Sequence, residues 1–246
     1  MPSSSIVAVH RINIKETTIC SVRRHIAEKF SSCTFTVITM NALVCEPFSG
    51  ASGDMVIGAL LDLGADESKI RAALAAFDLE LDVKEVERGG IAAKKVDFVR
   101  TRKNDAERVR RVKSYNHIVS AIEDSGLNKE IIQNSRGIFE KIANAEANVH
   151  GEPKERLVFH ELGALDTIGD LVGSSTAFLD LHPGIIISTP ISVGSGFVET
   201  EHGLLPVPAP ATVEILKTTS LLYQGGPAAS ELLTPTGAAI FAHFVC

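Results

Sequence analysis

Apolar positions follow two different periods along the chain, which predicts a mixture of strands and helices. Residues 42–47 form a short apolar run typical of a buried strand, and residues 79–99 alternate as in a β-hairpin. Residues 129–149 instead repeat apolar side chains at helical spacing, and 185–187 is a dense β-branched run. The order of these elements predicts an α/β fold, with helices packed on a mixed sheet.

The first 39 residues differ from the rest of the chain. They carry five Lys or Arg side chains against two acids, and their apolar residues keep no sustained period. A secretory signal needs a continuous apolar stretch, which is missing here. We therefore expect a loosely structured extension over residues 1–39 and one α/β domain over residues 40–246.

Composition narrows the class of protein. The chain is 45% apolar and 22% charged, as is ordinary for a globular protein, and it lacks an apolar run long enough to span a membrane. Its net charge of −6, with no Trp and two Tyr, argues against a general nucleic-acid binder. Four scattered cysteines without C-x-x-C spacing indicate reduced thiols in a cytoplasmic protein.

Residues 157–170 hold the densest candidate chemistry. His160 and Glu161 follow an apolar triplet, and Asp166 is suited to cap a helix that carries Asp170 one turn later. An imidazole and carboxylates so close in sequence can bind a divalent cation or move protons. The same residues would also serve as a strand end and a helix cap, so both interpretations stay open.

Two helix starts are candidates for binding an anion, because free N–H groups gather there. One follows the apolar strand at 42–47, and the other begins with Thr234 as a cap and Pro235 as the first helical residue. The predicted phosphate-binding residues are Ser49, Gly50, Ser52, Gly53, Thr234, Thr236 and Gly237. Asp54, beside the first of these starts, is a candidate base or metal ligand. Many such turns bind nothing.

Two further histidines lie in separate segments. His150 is one helical turn after Glu146, and His202 stands beside Gly203 in a glycine-rich stretch. The intervening residues 151–157 are suited to reverse the chain and bring His150 towards His160. A surface pair at i,i+4 spacing is the alternative explanation of Glu146 and His150.

Four motifs occur in chain order: F-S-G-A-S-G-D-M (48–55), A-E-A-x-V-H-G (145–151), F-H-E-x-G-A-x-D (159–166) and G-S-G-F-V-x-T-x-H-G-x-L-P-V-P-A-P-A (194–211). Together with E-L-L-T-P-T-G-A-A-I (231–240), they resemble the LarC family, the nickel insertion proteins of nickel-pincer cofactor biosynthesis. The resemblance runs from Met40 to about Phe244.

The resemblance implies a nickel chelatase of the lyase class. Members of the family insert nickel into pyridinium-3,5-bisthiocarboxylic acid mononucleotide, forming the cofactor of lactate racemase. It also implies CTP hydrolysis, a manganese or magnesium ion, and a C-terminal region tied to nucleotide and metal binding. A separate C-terminal partner is therefore an expectation. Some relatives have a His-rich run near residues 100–117, whereas this stretch is basic here and keeps His117 alone.

These patterns lead to a specific assignment. We predict that nickel binds to some of His150, His160, Glu161 and His202. Asp54, Glu161, Asp166 or Glu146 would act as acids, bases or additional ligands. A metal-dependent hydrolase of a phosphorylated small molecule and a non-catalytic metal-binding module stay open as alternatives. Whether the chain forms a homo-oligomer also stays open.

Overall fold

The computed structural model describes residues 7–17, 37–88, 90–101, 114–159, 164–200 and 202–245. Over these ranges the chain forms seven α-helices, which are α1 (Gly53–Asp62), α2 (Glu67–Ala75), α3 (Tyr115–Glu123), α4 (Lys129–His150), α5 (Ala164–Leu181), α6 (Pro210–Leu216) and α7 (Pro235–Phe244). Over the same ranges it forms nine strands, which are β1 (Ala8–Thr17), β2 (Val37–Glu46), β3 (Leu79–Arg88), β4 (Ile91–Arg100), β5 (Ile185–Ser188), β6 (Ile191–Ser192), β7 (Phe197–Thr200), β8 (Gly203–Pro206) and β9 (Tyr223–Gln224). A 3-10 turn, Lys154–Arg156, follows α4. This is the α/β fold that the sequence predicted.

The largest described sheet is mixed, with strand order β1-β2-β5. Strand β1 runs antiparallel to β2, and β2 runs parallel to β5 with Ala42 opposite Ile185. The remaining described strands form two-stranded sheets, β3 with β4, β6 with β9, and β7 with β8. Helix packing therefore contributes more to the core than a broad sheet does.

The expectation of a loosely structured segment over residues 1–39 is wrong for Ala8–Thr17. These residues form β1, which pairs with β2 along its whole length, from Ala8 opposite Glu46 to Thr17 opposite Val37. Val7, just before the strand, is buried in the core. Pairing with the edge of β2 satisfies backbone groups that the sequence pattern alone could not assign to a partner. The division into extension and domain otherwise stays a prediction.

Helix α5 lies at the centre of the core. Nearly every residue from Thr167 to Phe178 is buried, and the helix packs against α1, α2, α4 and α7. Its small residues permit this approach, because a Cβ on Gly169 would lie 2.8 Å from the ring of Phe98 and one on Gly173 would lie 2.7 Å from Ile57. Gly169 and Gly173 thus form part of a packing surface on α5.

Several helix starts follow local sequence rules. The side chain of Ser114 caps α3 by accepting from the N–H of His117, and the side chain of Thr234 caps α7 by accepting from the N–H of Gly237. The predicted cap at Asp166 is wrong, since α5 begins at Ala164 and Asp166 lies inside its first turn. There its negative charge still interacts favourably with the positive end of the helix.

None of the helices in the described part of the chain has both the length and the apolar character to cross a membrane. Cys45 is buried as a free thiol, and burial raises its pKa to about 12. The thiol is therefore unreactive at neutral pH.

Candidate functional site

The structure brings His150 and His202 together. His150 is the last residue of α4, which ends because Gly151 adopts a left-handed conformation with φ of 67°. His202 lies in the turn between β7 and β8, and its ring centroid is 5.0 Å from that of His150. Two motifs that are far apart in sequence thus supply imidazoles to one place, which we call the histidine pair.

A carboxylate lies beside the histidine pair. Glu146, one turn earlier on α4, places its Oε2 atom 3.5 Å from Nε2 of His150. The turn that carries His202 is held by Thr200, whose Oγ1 accepts from the N–H of His202 at 3.1 Å and donates to the carbonyl of Gly203 at 2.9 Å. Imidazole and carboxylate are both ligands that nickel accepts.

The histidine pair is open to solvent. The ring of His202 is exposed and the side chain of His150 keeps 35% of its surface exposed. In the part of the chain that the structure describes, no three His, Cys, Asp or Glu side chains are grouped closely enough to hold a metal ion. The pair can therefore offer two ligands to a metal, and other donors must complete the coordination.

The segment that leads towards His160 is firmly attached to α3 and α4. Lys154 places Nζ 2.5 Å from Oε2 of Glu140 and 4.7 Å above the ring of Tyr115, whose hydroxyl also donates to Glu140. Phe159 packs against Phe139 at 5.2 Å between ring centroids. Residues 154–159 are thus fixed relative to the helix that carries His150. His160 and Glu161 themselves lie outside the described residues.

A second candidate region surrounds the start of α1. A Cβ on Gly53 would lie 2.1 Å from Cγ of Asp170, so the glycine allows this carboxyl group of α5 to lie directly against the backbone of α1. Ser52 donates a hydrogen bond to Asp54 and does not cap the helix with its side chain. We call Asp54, Asp166 and Asp170 the acid cluster.

Burial and mutual repulsion favour protonation in the acid cluster. Burial raises the pKa of Asp170 well above its usual value of 3.8, and the charges of Asp54 and Asp166 raise it further. Burial also raises the pKa of Asp166, where the charge of Arg100 opposes the shift and that of Asp54 adds to it. Asp166 and Asp170 therefore hold protons more tightly than free carboxylates do.

The two predicted anion-binding loops lie side by side. Ala51 pairs with Leu233 in an isolated parallel bridge, its N–H donates to the carbonyl of Leu232 at 2.9 Å, and its carbonyl accepts from the N–H of Thr234 at 3.1 Å. A Cβ on Gly237 would lie 2.2 Å from the carbonyl oxygen of Ala51. The starts of α1 and α7 are thus adjacent.

Sequence reasoning missed Asp170 as a site residue. Its spacing of four residues from Asp166 indicated that both lie on one side of a helix. The sequence held no sign that Gly53, over a hundred residues earlier, would face it.

The fold and the histidine pair together define an α/β protein with a candidate transition-metal site. Residues 43–246 match the family model described as nickel insertion protein, and the chain therefore belongs to this family.

Three relatives illustrate the range of similarity. Nickel insertion proteins by name from Methanosarcina barkeri and Methanosarcina mazei are 45% and 46% identical over 207 residues, which is 83% of this chain and 51% of theirs. The pyridinium-3,5-bisthiocarboxylic acid mononucleotide nickel insertion protein of Geobacillus kaustophilus is 40% identical over 82% of this chain and 50% of its own length. The chain thus spans about half the length of these relatives. No solved structure matches it.

Proposed function

We propose that this chain binds nickel at the histidine pair and delivers it to pyridinium-3,5-bisthiocarboxylic acid mononucleotide. The observation that carries the proposal is the 5.0 Å separation of the rings of His150 and His202, which come from two different family motifs. The Geobacillus kaustophilus relative, which is named for insertion of nickel into this mononucleotide, supports the choice of acceptor.

Nickel is the cargo of this reaction, so the chain must bind it and also release it. Two imidazoles leave coordination positions open to an incoming acceptor, and the carboxylate of Glu146 lies beside His150, where it can orient the ring. The thiocarboxylate sulfurs of the mononucleotide are softer donors than carboxylate, and they displace the protein ligands one at a time. His160 and Glu161 complete the set of protein ligands in this proposal.

The adjacent loops Ser49–Gly53 and Thr234–Gly237 bind the phosphate of the mononucleotide in this proposal. Backbone N–H groups at the starts of α1 and α7 suit an anion. The acid cluster would repel a bare phosphate, so a hard divalent cation is needed between them. Carboxylate oxygens suit manganese or magnesium, and Asp54 and Asp166 would hold the ion, which neutralises phosphate charge when bound.

The remaining parts of the proposal come from the family. The CTP-dependent step belongs to the C-terminal region that the resemblance implies, supplied as a continuation of the chain or as a separate partner. The product is the nickel-pincer cofactor of lactate racemase. We place the reaction in the cytoplasm, which agrees with the free thiol of Cys45.

Nickel calorimetry on the intact chain and on a His150→Ala, His202→Ala double variant tests the proposal. We expect the double variant to lose nickel binding, because both imidazoles are removed. His10→Ala is the matched control, since His10 is also exposed but pairs with Glu46 on β1 and β2. Equal nickel affinity of the double variant and the control would place the metal elsewhere.

A transfer assay separates the proposal from its main alternative. Incubation of the nickel-loaded chain with the thiolated mononucleotide, with and without the C-terminal region of a relative, is expected to yield a nickel-containing chromophore. A metal-dependent hydrolase would instead consume the mononucleotide and retain no nickel in the product.

A further inference from the structure

Exposed apolar side chains lie on the elements that meet at the histidine pair and on the neighbouring helix α6. Phe197 and Leu204 on the β7–β8 hairpin are each 67% exposed, and Val149 on α4 and Val213 on α6 are each 40% exposed. We call these four side chains the apolar rim. Large apolar side chains that are exposed together often mark an interaction surface.

The two most exposed members of the rim share one face of the hairpin. Phe197 pairs with Pro206, and Glu199 pairs with Leu204, so strand alternation places all four side chains on the same side. The opposite side carries Val198 and Leu205, which are partly buried. The hairpin thus directs Val198 and Leu205 towards the protein and exposes Phe197 and Leu204 to solvent.

Three elements of the rim meet at the end of α4. Asn148 donates to Oε2 of Glu214 at 3.3 Å, which joins α4 to α6 next to Val213. The contact between His150 and His202 joins α4 to the hairpin. Val149 lies between these two connections in sequence. The elements that carry the apolar rim are therefore neighbours on one part of the surface, next to the histidine pair.

We propose that the apolar rim is the docking surface for the polypeptide region that the relatives have in addition to the part spanned by this chain, and that docking encloses the histidine pair. This inference rests on the proposed function. The matched 207 residues are 51% of the Methanosarcina barkeri relative, so the additional region is long enough to form a domain of its own. Enclosure would exclude water while nickel moves between ligands.

The end of the described chain is within reach of the rim. Helix α7 ends near the first half of α4, where His243 places Nε2 3.0 Å from Oδ1 of Asn134. From Asn134 to Val149 helix α4 rises by about 22 Å, a distance that about seven extended residues can span. A region that follows α7 can therefore reach the rim through a short connection.

Other occupants fit the rim less well. Small molecules bind in concave sites, whereas the outer face of a two-stranded hairpin offers no cavity of its own. A second copy of the chain would bring a second net charge of −6, and like charges oppose association.

Hydrogen exchange tests the proposal on the chain alone, on the chain joined at its C-terminal end to the additional region of the Methanosarcina barkeri relative, and on that intact relative. We expect amides of residues 197–206 to exchange at least 10-fold more slowly in the joined chain. The matching hairpin of the intact relative should be equally protected. A Phe197→Ser, Leu204→Ser variant should abolish this protection, whereas Leu222→Ser, a control whose side chain is 69% exposed, should not.

Two results would overturn the inference. One is unchanged exchange of the hairpin in both the joined chain and the intact relative. The other is protection that appears in the chain alone as its concentration rises, which would identify a second copy as the occupant. Nickel affinity of the Phe197→Ser, Leu204→Ser variant of the chain alone should stay unchanged. If the unaltered chain does not bind nickel, the proposed function is contradicted. The hydrogen-exchange result still decides whether the rim is a docking surface.

Discussion

The histidine pair and the acid cluster differ in their exposure to solvent. The histidine pair is exposed and lies between the end of α4 and the tip of a hairpin. Within the acid cluster Asp170 is desolvated and lies against the backbone of α1 where only glycine fits, whereas Asp166 is exposed. A site that must release its metal benefits from access, whereas carboxylates that must hold protons or a hard cation benefit from burial.

The difference shows that the same chemical group meets different environments in the two regions. Glu146 and Asp170 are both carboxylates, but Glu146 lies beside an imidazole, while Asp170 lies beside two other acids. A protonated imidazole stabilises the charged form of a neighbouring carboxylate. Neighbouring acids destabilise the charged form. The first environment suits a soft or borderline metal and the second suits a proton or a hard cation.

The largest expected effect is on the acid cluster. Gly53→Ala would place a Cβ 2.1 Å from Cγ of Asp170, so α1 and α5 must move apart. We expect a loss of about 3 kcal/mol in the free energy of unfolding, measured in urea, although alanine normally favours a helix. Gly225→Ala is the control, because a Cβ there meets nothing within 4 Å. Equal stability of both variants would mean that Asp170 is not held against α1.

The second largest expected effect is on nickel binding at the histidine pair. Glu146→Gln keeps the shape of the side chain but removes the charge that lies 3.5 Å from His150. We expect nickel affinity to fall by roughly 10–100-fold in calorimetry, as is typical when a partner that orients a metal-binding histidine is lost. Glu67→Gln removes the acid of another i,i+4 pair, with Arg71, and should leave nickel affinity unchanged. A similar loss in both would indicate a general charge effect.

A pH series would sharpen the contrast. Because the pKa of Asp170 is raised in the folded state, the folded chain binds more protons than the unfolded chain above pH 3.8, and stability falls as pH rises. Asp170→Asn should reduce this slope and raise stability at pH 7, because the amide carries no charge that burial and the neighbouring acids would oppose. Urea unfolding between pH 4 and 8 measures how the free energy of unfolding depends on pH in both proteins.

Asp180→Asn should change stability at pH 7 in the opposite direction to Asp170→Asn. The hydrogen bond from Lys69 lowers the pKa of Asp180, so its charged form stabilises the fold above the unfolded pKa. Its replacement should reduce stability at pH 7, and the difference should fade when the series is extended below the unfolded pKa of 3.8. A change in stability of the same sign for Asp170→Asn and Asp180→Asn would contradict the environments assigned to these two carboxyl groups.

The smallest expected effect is on the segment between the two candidate histidines His150 and His160. Burial raises the pKa of Glu140, but hydrogen bonds from Lys154 and Tyr115 outweigh it and lower the pKa overall. Lys154→Met should cost about 1 kcal/mol of stability in thermal unfolding, because Glu140 loses a partly buried partner. Lys217→Met, which removes an exposed partner of Glu214, should have a smaller effect.

Local rules in the sequence determined much of the secondary structure. Thr234 caps the helix that it was predicted to cap, and residues 79–99 form the predicted hairpin. The prediction failed at Asp166, where the helix begins two residues earlier, and at Ala8–Thr17, which form a strand. A cap or a turn depends on neighbours within a few residues, so it can be read from the sequence, whereas the pairing of an edge strand depends on a distant partner.

The sequence by itself determined the α/β class, the helix caps and the motifs that indicate the nickel insertion family. Tertiary structure decided which of those motifs meet. His150 contacts His202 because the end of α4 and a hairpin turn pack together, and Asp170 is desolvated because Gly53 lets α5 approach α1. Neither contact has a signal in local spacing, since each depends on how far apart separately folded backbone segments come to lie.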